Sequence, residues 1–153
     1  MAHSRFSPSA AKRWMACPGS IQLAESIPFV MDTTMPAAKG TLVHHMVEML
    51  LKDRLENVSL SDYWLGRKEE IDGFVVEVTE DMVDCAEQYV HYVQTRQEDL
   101  NGKLLIEERT RIDEISQECW GTVDALILGK EANRIAVIDL KSGKFPVDVE
   151  HNE

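Results

Sequence analysis

The chain has only three cysteines, Cys17, Cys85 and Cys119, too few and too scattered for a disulfide framework. They are read as reduced thiols, and a cytoplasmic location is expected. No apolar run approaches the roughly 18 residues that a membrane-spanning helix needs, so no membrane partner is expected. The first residues, Met1 to Arg5, lead into polar sequence without an apolar segment, and no secretory signal is read there. Internal repeats and low-complexity tracts are also lacking. Positive charge is scarce: 16 basic residues face 27 acidic ones, for a net charge of −11. That balance argues against a simple nucleic-acid coat or a membrane-surface protein.

The deficit is local. Residues 1–60 hold six basic and five acidic groups, and residues 121–153 hold four and six. Residues 61–120 hold six and sixteen, so an acidic middle hides a near-neutral remainder. One face could still meet a polyanion, and some of the acids could be metal ligands instead of solvated surface. The remaining composition, 44% hydrophobic and 28% charged, is that of an ordinary globular protein. At 153 residues the chain is long enough to bury a core, and a single domain over 1–153 is expected.

Local patterns predict helices first and strands later, an α+β layout. Ser7-Pro8-Ser9 reads as an N-cap with proline in the first turn, followed by Ala10, Ala11, Trp14 and Met15 at helical spacing. Cys17-Pro18-Gly19-Ser20 ends or kinks that helix, with a short second one around Ile21–Glu25. Residues 26–36 read as loop. Ala37–Leu55 is a clear helix, with Leu42, Val43, Met46, Met49 and Leu50 on one face. Residues 56–78 give little beyond a short strand-like run, Phe74–Val78. Thr79 then caps a long helix, with Glu80 and Asp81 in its first turn and Met82, Ala86, Tyr89 and Val93 on one side, ending at Asn101-Gly102. Beyond Gly102 the period changes to 2. Leu104–Ile112, Cys119–Leu128 and Arg134–Lys141 predict a three-stranded antiparallel meander. Its open flank, and the polar segment Pro146–Glu153 directly after a strand, suggest that the chain is part of something longer.

Three stretches carry chemistry. In Ile138-Asp139-Leu140-Lys141-Ser142-Gly143, residues i and i+2 of a strand share a face, so Asp139 and Lys141 project together. Taken alone, they are equally a surface ion pair. Asp124 interrupts the apolar strand Trp120–Leu128, and a five-residue turn lets it approach Asp139. Two carboxylates that close repel unless a cation lies between them. An edge-strand aspartate facing water is the plainer alternative. On the helix, His44 and Glu48 share a face at i, i+4, although a lone histidine there is ordinarily a satisfied surface or core residue. Taken together, a carboxylate pair, an imidazole and a lysine suit a hard cation, Mg²⁺ or Mn²⁺. Zinc is disfavoured, since no Cys or His pair has its ligand spacing.

In chain order, Ala38-Lys39-Gly40-Thr41-x-x-His44, then Gly121-Thr122-Val123-Asp124, then Ile138-Asp139-Leu140-Lys141-Ser142-Gly143 resembles the PD-(D/E)XK nuclease superfamily. The resemblance is closest to its RecB-like exonuclease branch, which includes phage-encoded members. Ser9-x-x-x-x-Trp14-x-x-Cys17-Pro18 also resembles the first helix of these proteins. The resemblance runs from Ser7 to Lys144. It implies a restriction-endonuclease-like core and a DNA nuclease, most simply an exonuclease of DNA recombination or processing. The branch normally continues with a helix bearing Gln-x-x-x-Tyr and a further strand. Their absence before Glu153 makes the chain look like the front of such a domain, completed by a C-terminal remainder or by further copies of itself. Some relatives hold an iron–sulfur cluster through a Cys-Pro here and three later cysteines. Cys17-Pro18 matches the first position only, so no cluster is expected and Cys17 is read as a packed thiol.

By the same resemblance, His44, Asp124, Asp139 and the Leu140 carbonyl would ligate the cation. Lys141 would orient or deprotonate a water and offset charge on the scissile phosphate, and Glu108 would be an accessory acid. The cation would act as a Lewis acid. Arg5, Lys12, Arg13 and Lys39 are the candidate phosphate contacts, whereas the acidic helix over residues 80–100 is expected to face away from DNA. Two other readings stand beside this one: a binding module with a nuclease-like fold and little or no turnover, and an interaction protein in which Asp124, Asp139 and Lys141 form a buried ion network.

Overall fold

A computed structural model of the chain describes residues 4–27, 33–52, 59–131 and 133–143. A 3-10 turn at Pro8–Ala10 leads into helices α1 (Ala11–Ala16), α2 (Gly19–Ser26), α3 (Met35–Leu51) and α4 (Leu60–Trp64). Strands β1 (Lys68–Ile71) and β2 (Phe74–Glu77) follow, then helix α5 (Glu80–Leu100) and strands β3 (Lys103–Arg111), β4 (Trp120–Leu128) and β5 (Ile135–Ile138). The architecture is α+β, with one sheet ordered β1-β2 and another ordered β3-β4-β5. Among the described residues, no helix is long and apolar enough to cross a membrane. The expected end of α3 at Leu55 and the segment Pro146–Glu153 lie outside the described residues. The chain forms two compact units.

The described part of the smaller unit comprises residues 4–27 and 109–123. Ser7 stands at the N-cap but does not cap through its side chain, because its hydroxyl lies 2.7 Å from that of Ser9. The Ser7 carbonyl instead accepts the Trp14 indole N–H at 2.9 Å, and Phe6 meets that ring edge-on. The Ser4 hydroxyl donates to the Glu118 carbonyl and accepts from the Trp120 amide, stitching the N-terminal segment to β4. Cys17 was expected to pack and is instead exposed. It is the C-cap of a six-residue helix that buries none of its residues, so nothing covers the thiol.

The larger unit contains α3, α4, α5, both β1 and β2, and the apolar parts of β3, β4 and β5. Helix α3 starts two residues earlier than the spacing predicts, because Thr34 accepts the Ala37 amide at 3.4 Å and Pro36 fits the first turn. It buries Ala38, Leu42, Val43, Met46 and Val47. Helix α5 supplies Met82, Val83, Ala86, Tyr89, Val93 and Leu100. Ala125, Ile127, Ile138 and Leu140 complete the same core.

Two local features depart from the sequence reading. Lys68–Ile71 pairs with Phe74–Glu77 through Asp72-Gly73, both in the left-handed region (φ 50° and 83°). This is the geometry that an Asp-Gly hairpin turn requires. Strand β5 stops at Ile138 instead of reaching Lys141. The last β4–β5 pair is Ala125↔Ile138, and the Leu140 amide then bonds to the Asp124 carboxylate, so a side chain replaces the next rung of the ladder.

Gly102 is a close approach. A Cβ there would lie 2.7 Å from the Leu128 carbonyl oxygen and 2.8 Å from Ile127 Cγ2. Gly102→Ala must therefore push the end of α5 off β4. We expect a loss of about 2 kcal/mol, read as a lower urea midpoint at unchanged slope. An unchanged midpoint would contradict this packing.

Candidate metal centre

The site begins with Asp124. Its position on β4 alternates with Ala125 and Ile127, which are buried. Its two oxygens are divided. Oδ2 accepts the Leu140 amide at 2.6 Å, and Oδ1 faces His44 Nδ1 at 3.5 Å. His44 is one turn along α3 from Gly40, where an added methyl would lie 3.4 Å from the Ser142 hydroxyl. The helix thus passes close to Ser142, in the segment that follows Asp139 and Lys141.

The third member is Glu107. Donor atoms of His44, Glu107 and Asp124 all lie within 4.8 Å of one another. Glu107 holds a φ of 54° within β3, a left-handed conformation that costs a non-glycine residue about 1–2 kcal/mol. Such an outlier persists only where surrounding structure enforces it, and outliers of this kind cluster at functional sites.

The charges respond to one another. Asp124 beside His44 raises the imidazole's pKa, against the opposing effect of burial. Burial pushes Asp124 upward, but His44, the Leu140 amide and the charge of Lys141 outweigh it and hold the carboxyl below its ordinary value. Glu107 is pushed up, first by burial and then by the Asp124 charge. Tyr89, buried beneath, donates its hydroxyl to the Ile138 carbonyl at 3.0 Å, and its pKa is raised by burial and by the same acids.

The residues fit a hard divalent cation. Two carboxylates and one imidazole are a Mg²⁺ or Mn²⁺ donor set, and their donor atoms lie close enough together to share one ion. Burial is the first cause of the raised Glu107 pKa and the Asp124 charge the second, and a cation held between the two carboxylates would offset that repulsion.

The other expected site residues fall as follows. Asp139 and Lys141 pair with each other just past β5, with side chains 55% and 53% exposed. That exposure removes the reading of a buried ion network. The Asp139 charge is felt by His44, but its carboxylate lies outside the His44–Glu107–Asp124 group. Glu108, expected as the accessory acid, lies outside the His44–Glu107–Asp124 group, which its neighbour Glu107 joins. Glu108 lines a separate hollow with Leu104, Ile106, Lys52 and Gln94. Leu104 and Ile106 pack on the core, and it is Glu107, at a left-handed φ, that joins His44 and Asp124. Lys39 is exposed on α3, and Lys12 and Arg13 are exposed on α1. Arg5 is paired with Glu25 at 2.7 Å and Glu118 at 3.2 Å, so its charge is already met within the protein.

Residues 3–153 match the profile of a family described as Protein of unknown function (DUF2800). The chain belongs to that family. No solved structure matches it. In this DUF2800 protein the centre therefore has to be read from its own residues.

The His44–Asp124 pair has a defined pH signature in the cation-free protein. The raised histidine pKa stabilises the fold below about pH 6.5 and is lost as pH rises through the folded value. The lowered aspartate pKa stabilises above about pH 3.9 and is lost as pH falls through its folded value. Wild type minus His44→Ala should therefore be largest between about pH 4 and 6.5, at about 1 kcal/mol or about 2–4 °C in Tm in the presence of chelator. A difference that does not vary with pH would contradict the pair.

Proposed function

We propose that this DUF2800 protein is a Mg²⁺- or Mn²⁺-dependent DNA nuclease related to the RecB-like branch of the PD-(D/E)XK superfamily. The observation that carries this reading is the convergence of His44, Glu107 and Asp124, from one helix and two neighbouring strands, beside the Asp139–Lys141 pair. The Leu140 amide links the two halves, since its bond to Asp124 holds the Asp139-Leu140-Lys141 segment against the cluster.

His44, Glu107 and Asp124 would hold the cation, with the charge of Asp139 felt at His44. A bound cation supplies Lewis-acid polarisation of a phosphodiester. The protein's own groups do the rest. Asp124 is fixed through Oδ2, which leaves Oδ1 oriented. Asp139 pairs with Lys141 Nζ and holds it in place. The Lys141 ammonium is exposed enough to reach a substrate phosphate and offset charge developing on its oxygens. The remaining partner assignments (a C-terminal completion of the domain, or further copies) belong to the same reading.

One observation favours the weaker alternative, a cation- or DNA-binding module with little turnover. Asp139 sits outside the three-residue group and is engaged with Lys141.

Two measurements separate these readings. Mn²⁺ at a hundredfold excess over Kd should stabilise the chain by about 2.7 kcal/mol, about 5–10 °C in Tm. Asp124→Asn and Glu107→Gln should abolish that shift. Linear DNA should be degraded in Mn²⁺, with Asp139→Ala and Lys141→Ala each at least about 100-fold slower. A Mn²⁺ shift without degradation selects the binding module. No Mn²⁺ shift, or equal degradation by Asp139→Ala, removes the nuclease reading.

A further inference from the structure

In the smaller unit, Arg109, Arg111, Asp113, Gln117 and Trp120 line an open hollow of about 520 Å³. The Arg109 guanidinium lies over the Trp120 ring, 3.6 Å from its centroid. Arg109 has no carboxylate partner among the described residues, although residues 61–120 are strongly acidic. Arg111 is held by Asp113, its Nε and Nη2 each 3.1 Å from a carboxylate oxygen. This grip fixes the fork and leaves the Nη1 edge for another acceptor. Gln117 adds an amide that can both donate and accept.

We propose that this hollow is a docking platform for single-stranded nucleic acid. An unstacked base lies on the Arg109–Trp120 stack, and an adjacent phosphate takes the remaining edge of Arg111. A planar cation on an indole offers a π-surface that any base can use. A duplex keeps its bases stacked on one another and cannot use it. An acidic peptide would exploit the charge but not the stack. The proposal rests on the DNA reading given above and deepens it by naming the strand state and the residues that take it.

The test is fluorescence anisotropy of a labelled oligo-dT strand, in chelator so that no hydrolysis occurs. Wild type should bind oligo-dT roughly tenfold tighter than an abasic strand of equal length, in line with base–aromatic stacking. Trp120→Phe, which keeps an aromatic ring while reducing the platform, and Arg109→Gln should each remove most of that preference. Arg111→Gln should weaken both strands alike. Arg134→Gln, on a residue paired with Glu131, should change nothing, and circular dichroism verifies that each variant is folded. Equal affinity for the two strands, equal competition by polyglutamate, or hollow variants that bind like wild type would each overturn the platform. The Mn²⁺ shift and DNA degradation are read separately. Their loss with strand binding intact removes the nuclease reading alone.

Discussion

The Asp124 carboxylate is the point on which the rest of the arrangement depends. An aspartate within an apolar strand is unfavourable unless both oxygens are satisfied. Here one oxygen takes the Leu140 amide and the other faces His44. The first bond ends the β4–β5 ladder after Ile138 and turns the chain so that Leu140 enters the core while Asp139 and Lys141 stay outside. The second fixes the direction of α3, whose buried face is set by Leu42, Val43 and Met46. One side chain thus couples a strand end, a helix and a local charge balance.

Beneath it, Tyr89 serves a related purpose. Its ring belongs to the α5 core face, and its hydroxyl takes the Ile138 carbonyl, the last strand residue before the acidic pair. The hydroxyl must stay protonated to donate, and the surrounding carboxylates together with burial ensure that it does. The core therefore reaches the site through this neutral hydrogen bond and through the Leu140 amide on Asp124. The charged groups sit one layer further out, where water still solvates them.

Much of this was legible in the sequence, for identifiable reasons. Helices α3 and α5 have long amphipathic patterns and good ends, such as Asn101 in the left-handed region before a glycine that only just clears β4. Strands β3 and β4 follow from the change of period. The β1–β2 hairpin was not read, although Asp72-Gly73 is a strong turn signal. Its strands are only four residues long, and Lys68–Ile71 is mostly charged, so no alternation stands out. In the site, His44 and Asp124 were found through motif spacing. The choice between Glu107 and Glu108 was not legible, because the sequence presents two adjacent glutamates with the same chemistry, and Leu104, Leu105 and Ile106 are all half-buried so that alternation does not separate them. The backbone strain at Glu107 has no sequence signal, since glutamate is not a residue that favours a positive φ.

The openness of the centre bears on what it could act upon. Sites for small molecules ordinarily enclose most of the ligand and draw on apolar walls. Here Asp139 and Lys141 are more than half exposed, and His44 retains a third of its side-chain surface. A small anion would gain little at such a surface, because water competes for every contact. A polymer changes that balance. It covers the groups with its own bulk, lowers the local dielectric where it lies, and draws binding energy from contacts far from the reacting bond. The strong net negative charge requires those distant contacts to be discrete, placed where a cation or a stacked arginine overcomes the general repulsion. A cluster of two carboxylates and an imidazole, and an arginine held over an indole with no carboxylate partner among the described residues, are the two kinds of feature that such a substrate would demand of an acidic protein.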